Sequence, residues 1–135
     1  MNELIERLQE LNQTVPVPLE LPEYDQLVQA EEQLLIGFPR ELKEFLLYAS
    51  DVIVGRIEPV TVSDPSSHTY LPEVASYAWS IGLPRDLLPI CQVGDDFYCI
   101  DQEGRVYLWQ DGYLDEETTW ESFWEWVDNV WLAHC

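Results

Sequence analysis

Ser66, Ser67 and His68 stand side by side, and the only other histidine is His134, next to the C-terminus. A hydroxyl becomes a hydrolytic nucleophile when a base touches it and a strand–turn–helix elbow exposes it. The polar segment Asp64-Pro65-Ser66-Ser67 offers no such elbow. Cys91, followed by Gln92 in a β-type run, carries no protease signature and reads as a small buried hydrophobe. Cys91, Cys99 and Cys135 are odd in number and lack CxxC spacing, so they predict neither a disulfide framework nor a zinc site. Asp95, Asp96, Asp101 and Glu103 supply oxygens suited to a divalent cation, yet they lack the alternating ligands and twelfth-position Glu of an EF-hand loop. A pair of carboxylates could cleave a glycosidic bond, but with 26 acidic residues in the chain any such pair is uninformative. The motifs GxGxxG, GxxxxGKS/T and HExxH do not occur. We therefore assign no catalytic residue, no cofactor and no metal. The carboxylates suggest a different chemistry, attraction of a basic polypeptide. Asp95 and Asp96 in a strand turn, and Asp115, Glu116 and Glu117 before the last helix, are the candidate partner-binding residues. The plainer role for each is a solubilising loop charge.

The charge balance supports that direction. The 135 residues carry a net charge of −20, with six basic residues, of which Lys43 is the single lysine. Such a surface repels nucleic-acid phosphates and anionic membranes, and it speeds encounter with basic proteins. Between Asp95 and Asp128 lie eleven acidic residues against Arg105 alone, so about half the net charge sits in a quarter of the chain. Hydrophobic residues make up 47%, with six Trp, seven Tyr and four Phe, which excludes a disordered chain. The length predicts one domain over residues 1–135, able to fold without a metal or disulfide. No apolar run reaches the roughly 20 residues of a membrane span. The amphipathic start MNELIERLQELN is unlike a secretory signal, so cytoplasmic residence is the expectation.

These residues must be positioned by elements that the sequence also announces. Glu3 to Leu11 reads as an amphipathic helix, followed over Asn12 to Pro22 by an extended, proline-interrupted connector lying against the domain. A second helix is predicted from Glu23 to Ile36, with Leu27, Ala30 or Glu31, Leu34 and Leu35 at the helical spacing of its inner stripe and Gly37 ending it. A third runs from Arg40 to Ala49. Short strands follow at Val52–Val54 and Ile57–Val62, then a helix at Leu71–Ile81 closed by Gly82. Three strands, Leu87–Val93, Asp96–Asp101 and Arg105–Trp109, turn on Gly94-Asp95 and Glu103-Gly104. With two-residue turns, Cys91 faces Tyr98 and Cys99 faces Ile90. Tyr98, Ile100, Tyr107 and Trp109 then share one sheet face, and Phe97, Cys99, Val106 and Leu108 the other. Asp115-Glu116-Glu117 reads as an exposed loop. Thr118 and Glu121 have capping-box spacing at the start of a last helix with Phe123, Trp126, Val127, Val130 and Trp131 inward. The expected class is α+β: an antiparallel-rich sheet packed by N-terminal helices and a C-terminal helix.

Two segments resemble one family. In LVQAEEQLLIGFPRELKEFLLYAS, Glu31, Phe38-Pro39 and Phe45-Leu46 follow the order of an acidic helix residue, a hydrophobic-proline pair and a helical Phe-Leu pair. In LLPICQVGDDFYCIDQEGRVYLW, Pro89-Ile90, Gly94, Tyr98, Ile100-Asp101, Gly104 and Val106-Tyr107 follow a strand–turn–strand pattern. With Phe123 and Trp126, these segments resemble the SUKH superfamily of Smi/Knr type over about Leu21 to Val130. Leu35 stands where the family often has glycine. The resemblance implies a SUKH fold without enzyme activity. It also implies a protein-binding role, either as a bacterial immunity protein neutralising a toxin, often a nuclease, or as a regulatory scaffold. A basic toxin domain fits the acidic surface; nucleic acid and membrane do not.

Overall fold

The computed structural model describes residues 3–16 and 19–134, without the side chain of His134. Cys135 and the connector residues Val17 and Pro18 lie outside the described residues. Helix α1 (Glu3–Leu11) buries Ile5 and Leu8 in the common core. Its exit is pinned by two hydrogen bonds: Gln13 N donates to Ile53 O at 2.7 Å, and Ile53 N donates to the side-chain Asn12 Oδ1 at 2.7 Å. Helix α2 (Tyr24–Leu34) begins where Glu23 N donates to Gln26 Oε1 at 2.7 Å, satisfying an amide just before the first turn.

The end of α2 departs from the sequence reading. Leu35, not Gly37, stops the helix, at φ 57° and ψ 34°. Ile36 N donates to Glu31 O at 3.2 Å and Leu35 N to Glu32 O at 3.3 Å. These are the two bonds of a Schellman motif, with a leucine in the left-handed position that favours glycine. Leu35 is consequently turned out of the core, 88% exposed. The Glu31 carboxylate closes the bend by accepting Phe38 N at 2.7 Å, with Lys43 Nζ 3.5 Å away.

Helices α3 (Arg40–Tyr48) and α4 (Leu71–Ser80) follow, and α2 packs against both. The expected strands at 52–54 and 57–62 are reduced to single bridges: Val54 with Ile57, Pro59 with Cys91 and Thr61 with Tyr70. Strands β1 (Leu88–Val93), β2 (Asp96–Ile100), β3 (Val106–Gln110) and β4 (Tyr113–Trp120) form one antiparallel sheet in chain order. The fourth strand is a correction, because it contains the acidic stretch expected to be a loop.

Register follows the turns. Gly94-Asp95 closes a two-residue turn and places Cys91 opposite Tyr98 as expected, but a bulge at Ile90 sets Cys99 against Pro89. The β2–β3 turn is longer than expected, so Cys99 faces Tyr107 and Phe97 faces Trp109. That one-residue slip exchanges the faces of β3. Tyr98, Ile100, Val106 and Leu108 lie on one side, with Trp120 of β4. Phe97, Cys99, Tyr107, Trp109 and Leu114 lie on the other.

The first side meets the C-terminal helix. Helix α5 (Phe123–Trp126) passes into a π-helical turn (Val127–Trp131) and a 3-10 turn (Leu132–His134). Its cap is Ser122, whose hydroxyl accepts Glu125 N at 3.1 Å. Thr118 cannot cap this helix because it is held within β4. The π turn explains an otherwise awkward spacing. Trp126 and Trp131, five residues apart, would diverge on an α-helix but share a face when the turn widens. Both are buried, with ring centroids 6.5 Å apart. Trp126 packs on Tyr98 at 5.4 Å, and Phe45 of α3 reaches Phe123 at 5.2 Å and Trp131 at 5.8 Å. The opposite side meets α4, where Tyr77 lies 6.3 Å from Phe97.

Candidate interaction surface

The motif residues that carry the family resemblance organise turns. Asp101 Oδ1 accepts Glu103 N at 2.9 Å and Arg105 N at 3.0 Å, while its Oδ2 accepts Tyr107 Oη–H at 2.9 Å. This knot builds the longer β2–β3 turn. Burial, then Asp101's acceptance of its proton and nearby negative charge, raise the Tyr107 phenol above its ordinary value. Glu31 plays the equivalent part at the α2–α3 bend.

The five candidate carboxylates divide into two kinds. Asp95, Glu116 and Glu117 are exposed. Asp96 and Asp115 have structural duties. Asp96 Oδ1 accepts Asp111 N at 3.3 Å, tying the β1–β2 turn to the β3–β4 turn at the same end of the sheet. Asp115 Oδ1 accepts Glu117 N at 3.0 Å and Thr118 N at 3.2 Å. The Thr118 hydroxyl foremost, then these two amides, hold the Asp115 carboxyl below the usual range. The result is a bulge. Leu108 pairs with Asp115 and Tyr107 with Thr119, leaving Glu116, Glu117 and Thr118 unopposed on β3. The loop expected there is thus a turn folded into a strand, and it presents Glu116 and Glu117 outward.

The chemistry weighed against binding finds little geometry. His68 Nε2 lies 2.9 Å from Glu58 Oε2, both side chains being mostly exposed. Ser67 Oγ is engaged by Thr69, with Oγ1 at 2.8 Å and N at 3.2 Å. The imidazole therefore pairs with a carboxylate while the neighbouring hydroxyl is bound to Thr69. Burial pushes the Cys91 and Cys99 thiols up to about 12, so neither carries thiolate character at neutral pH. Among the described residues no group of three or more His, Cys, Asp or Glu side chains could hold a metal ion. No helix among them is long and apolar enough to cross a membrane.

Sequence reasoning missed the exposed apolar side chains. Leu35 at 88%, Tyr77 at 48% and Ile81 at 42% lie at α2's exit, on the flank of α4 beside the sheet, and just past the end of α4. Between these helices opens a groove of about 360 Å³, lined among others by Leu34, Leu35, Ser76, Trp79 and Arg85. The Arg85 guanidinium sits 4.2 Å over the Trp79 ring, whose Nε1 donates to Leu87 O at 2.9 Å. The signal for Leu35 was its nearness to Gly37 and Pro39, which argues for an early helix stop.

Comparison with known proteins agrees with this architecture. Residues 1–132 match the family described as SMI1-KNR4 cell-wall, within SUKH. The chain is 56% identical to a protein from Pseudomonas syringae pv. tomato of known crystal structure, over 98% of this chain and 99% of that one, with a TM-score of 0.94. No curated protein matches it. With the family match spanning nearly the whole chain, this protein belongs to the SMI1-KNR4 family of the SUKH superfamily.

Proposed function

We propose that this protein is a non-enzymatic immunity protein that binds a basic toxin domain, such as a nuclease, and neutralises it by occlusion in the cytoplasm. Family membership supports a protein-binding role in general. The observation that carries the finer reading is the net charge of −20. Free carboxylates at Asp95, Glu116 and Glu117 add local negative charge at the β1–β2 turn and the β4 bulge. Such a field accelerates capture of a cationic protein and weakens as salt screens it. Asp95, Glu116 and Glu117 act chiefly in steering, while Asp96 and Asp115 support them by shaping their turns.

The test is co-expression with a basic toxin domain encoded beside this chain's gene. Protection of the cells, a stable complex, and an association rate falling steeply with salt are expected. Asp95→Asn/Glu116→Gln/Glu117→Gln should slow association more than it speeds dissociation. Absence of both binding and protection refutes the reading. Recovery of a housekeeping partner instead would favour a regulatory scaffold, the second reading, which the cell-wall description of the family favours.

A further inference from the structure

We infer that the partner's contact is anchored at the junction of α2 and α4, with Leu35 as the central apolar residue. The occupant is an apolar spot on a cationic polypeptide. The inference rests on the proposed binding role and specifies where contact is made.

Leu35 combines two features that the fold does not require. Its backbone is left-handed at φ 57°, and its side chain is 88% exposed. A leucine there carries β-carbon strain that glycine would avoid, and it gains almost no burial in return. Outliers of this kind collect at active sites, ligand clamps and switch regions.

A second observation is independent of that strain. Leu35 forms one wall of the groove of about 360 Å³ described above. The Trp79 wall is tied at its edge by its bond to Leu87 O and carries the Arg85 guanidinium 4.2 Å from its ring centroid. Tyr77 and Ile81 lie on another flank of α4, where Tyr77 meets Phe97 of the sheet, and do not line the groove. Apart from Glu73, helix α4 carries no charge. An 88% exposed leucine beside a groove whose one charged lining residue is Arg85, on a molecule of charge −20, is the arrangement of an apolar anchor within a steering field. The same charge argues against a second copy as occupant, because two such surfaces repel.

The test measures binding of the cationic toxin domain encoded beside this chain's gene, together with thermal unfolding of the free chain. Leu35→Gly should raise the thermal midpoint by about 2–4 °C while weakening binding about tenfold or more. Ser76→Glu obstructs the groove but adds negative charge, which steering alone would favour. It should weaken binding comparably with little change in midpoint. Tyr24→Ala removes an aromatic that is 64% exposed at the far end of α2 and should change affinity less than about twofold. A lowered midpoint for Leu35→Gly would make Leu35 structural and overturn the inference. Retention of affinity by both Leu35→Gly and Ser76→Glu would overturn it while leaving the proposed function standing. No binding by the unaltered chain would overturn both.

Discussion

Trp126 and Trp131 permit a paired experiment, because they are equally buried but differ in one polar contact. Trp126 is 0% exposed and Trp131 is 1% exposed. Trp131 Nε1 donates to Val54 O at 2.8 Å, whereas the buried Trp126 Nε1 has no hydrogen-bond partner among the described residues. Replacing either by Phe removes the same ring atoms and leaves a similar void, at about 1–2 kcal/mol. At Trp131 the change also deletes a buried hydrogen bond and leaves the Val54 carbonyl only its bridge to Ile57, adding about 1–3 kcal/mol. At Trp126 it deletes a desolvated donor and returns about 1–3 kcal/mol. Trp131→Phe should therefore lose about 2–5 kcal/mol, and Trp126→Phe should fall between a gain of about 2 kcal/mol and a loss of about 1 kcal/mol. Urea unfolding followed by far-UV circular dichroism measures both, and an unchanged slope with denaturant verifies that only the native state has altered. Losses that agree within about 1 kcal/mol would refute the assignment of opposite polar states to the two indoles.

Three further outcomes follow from the geometry. Phe45 is 1% exposed between Phe123, Trp124 and Trp131, so Phe45→Ala should cost about 3–5 kcal/mol in the same urea assay. A loss under about 1 kcal/mol would mean that α3 and α5 do not share a core. Burial raises the Asp51 carboxyl, so the native state binds a proton more tightly than the unfolded chain, and stability falls as pH rises through that window. Asp51→Asn should thus stabilise at pH 7 and have no effect near about pH 3, where both forms are neutral; an equal gain at the two pH values would contradict this. Asp115 has the opposite sign: its lowered value contributes stability above the ordinary carboxylate range that is lost as pH falls through the folded value. Thr118→Val removes the largest cause, so the Asp115 titration followed by NMR should move upward, and an unmoved titration would deny the hydroxyl its part.

What was legible in the sequence follows from how local each signal is. Helix α1 was read to its bounds because Ile5 and Leu8 recur at helical spacing before the Pro16 break. The first hairpin was read to its turn because Gly94 sits at φ 62°, where a residue without a β-carbon is favoured. The second hairpin was misread because Asp101 gathers two amides and a phenol around its side chain, an arrangement that spacing does not display. Strand β4 was missed because Asp115, Glu116 and Glu117 have poor strand propensity, and their bulge breaks the alternation. Leu35 was placed inward because the period of α2 runs on through it, while the left-handed turn depends on backbone dihedrals that periodicity cannot report. Among the five candidate carboxylates, sequence reading found the acidic turns. It could not separate Asp96 and Asp115, engaged with backbone amides, from Asp95, Glu116 and Glu117.

The bulge in β4 also bears on the fate of the protein at high concentration. A sheet this rich in Tyr and Trp, ending in an unflanked strand, would ordinarily invite cross-β stacking into fibrils. At the opposite border Val60 N already occupies Ile90 O at 2.9 Å, leaving little for a newcomer to grasp. At the β4 border the three unopposed residues break the straight row of amides, and Glu116 and Glu117 bring like charges together whenever two chains align there. Straightening this segment by deleting Glu116, Glu117 and Thr118 would remove both barriers and leave a chain prone to polymerise.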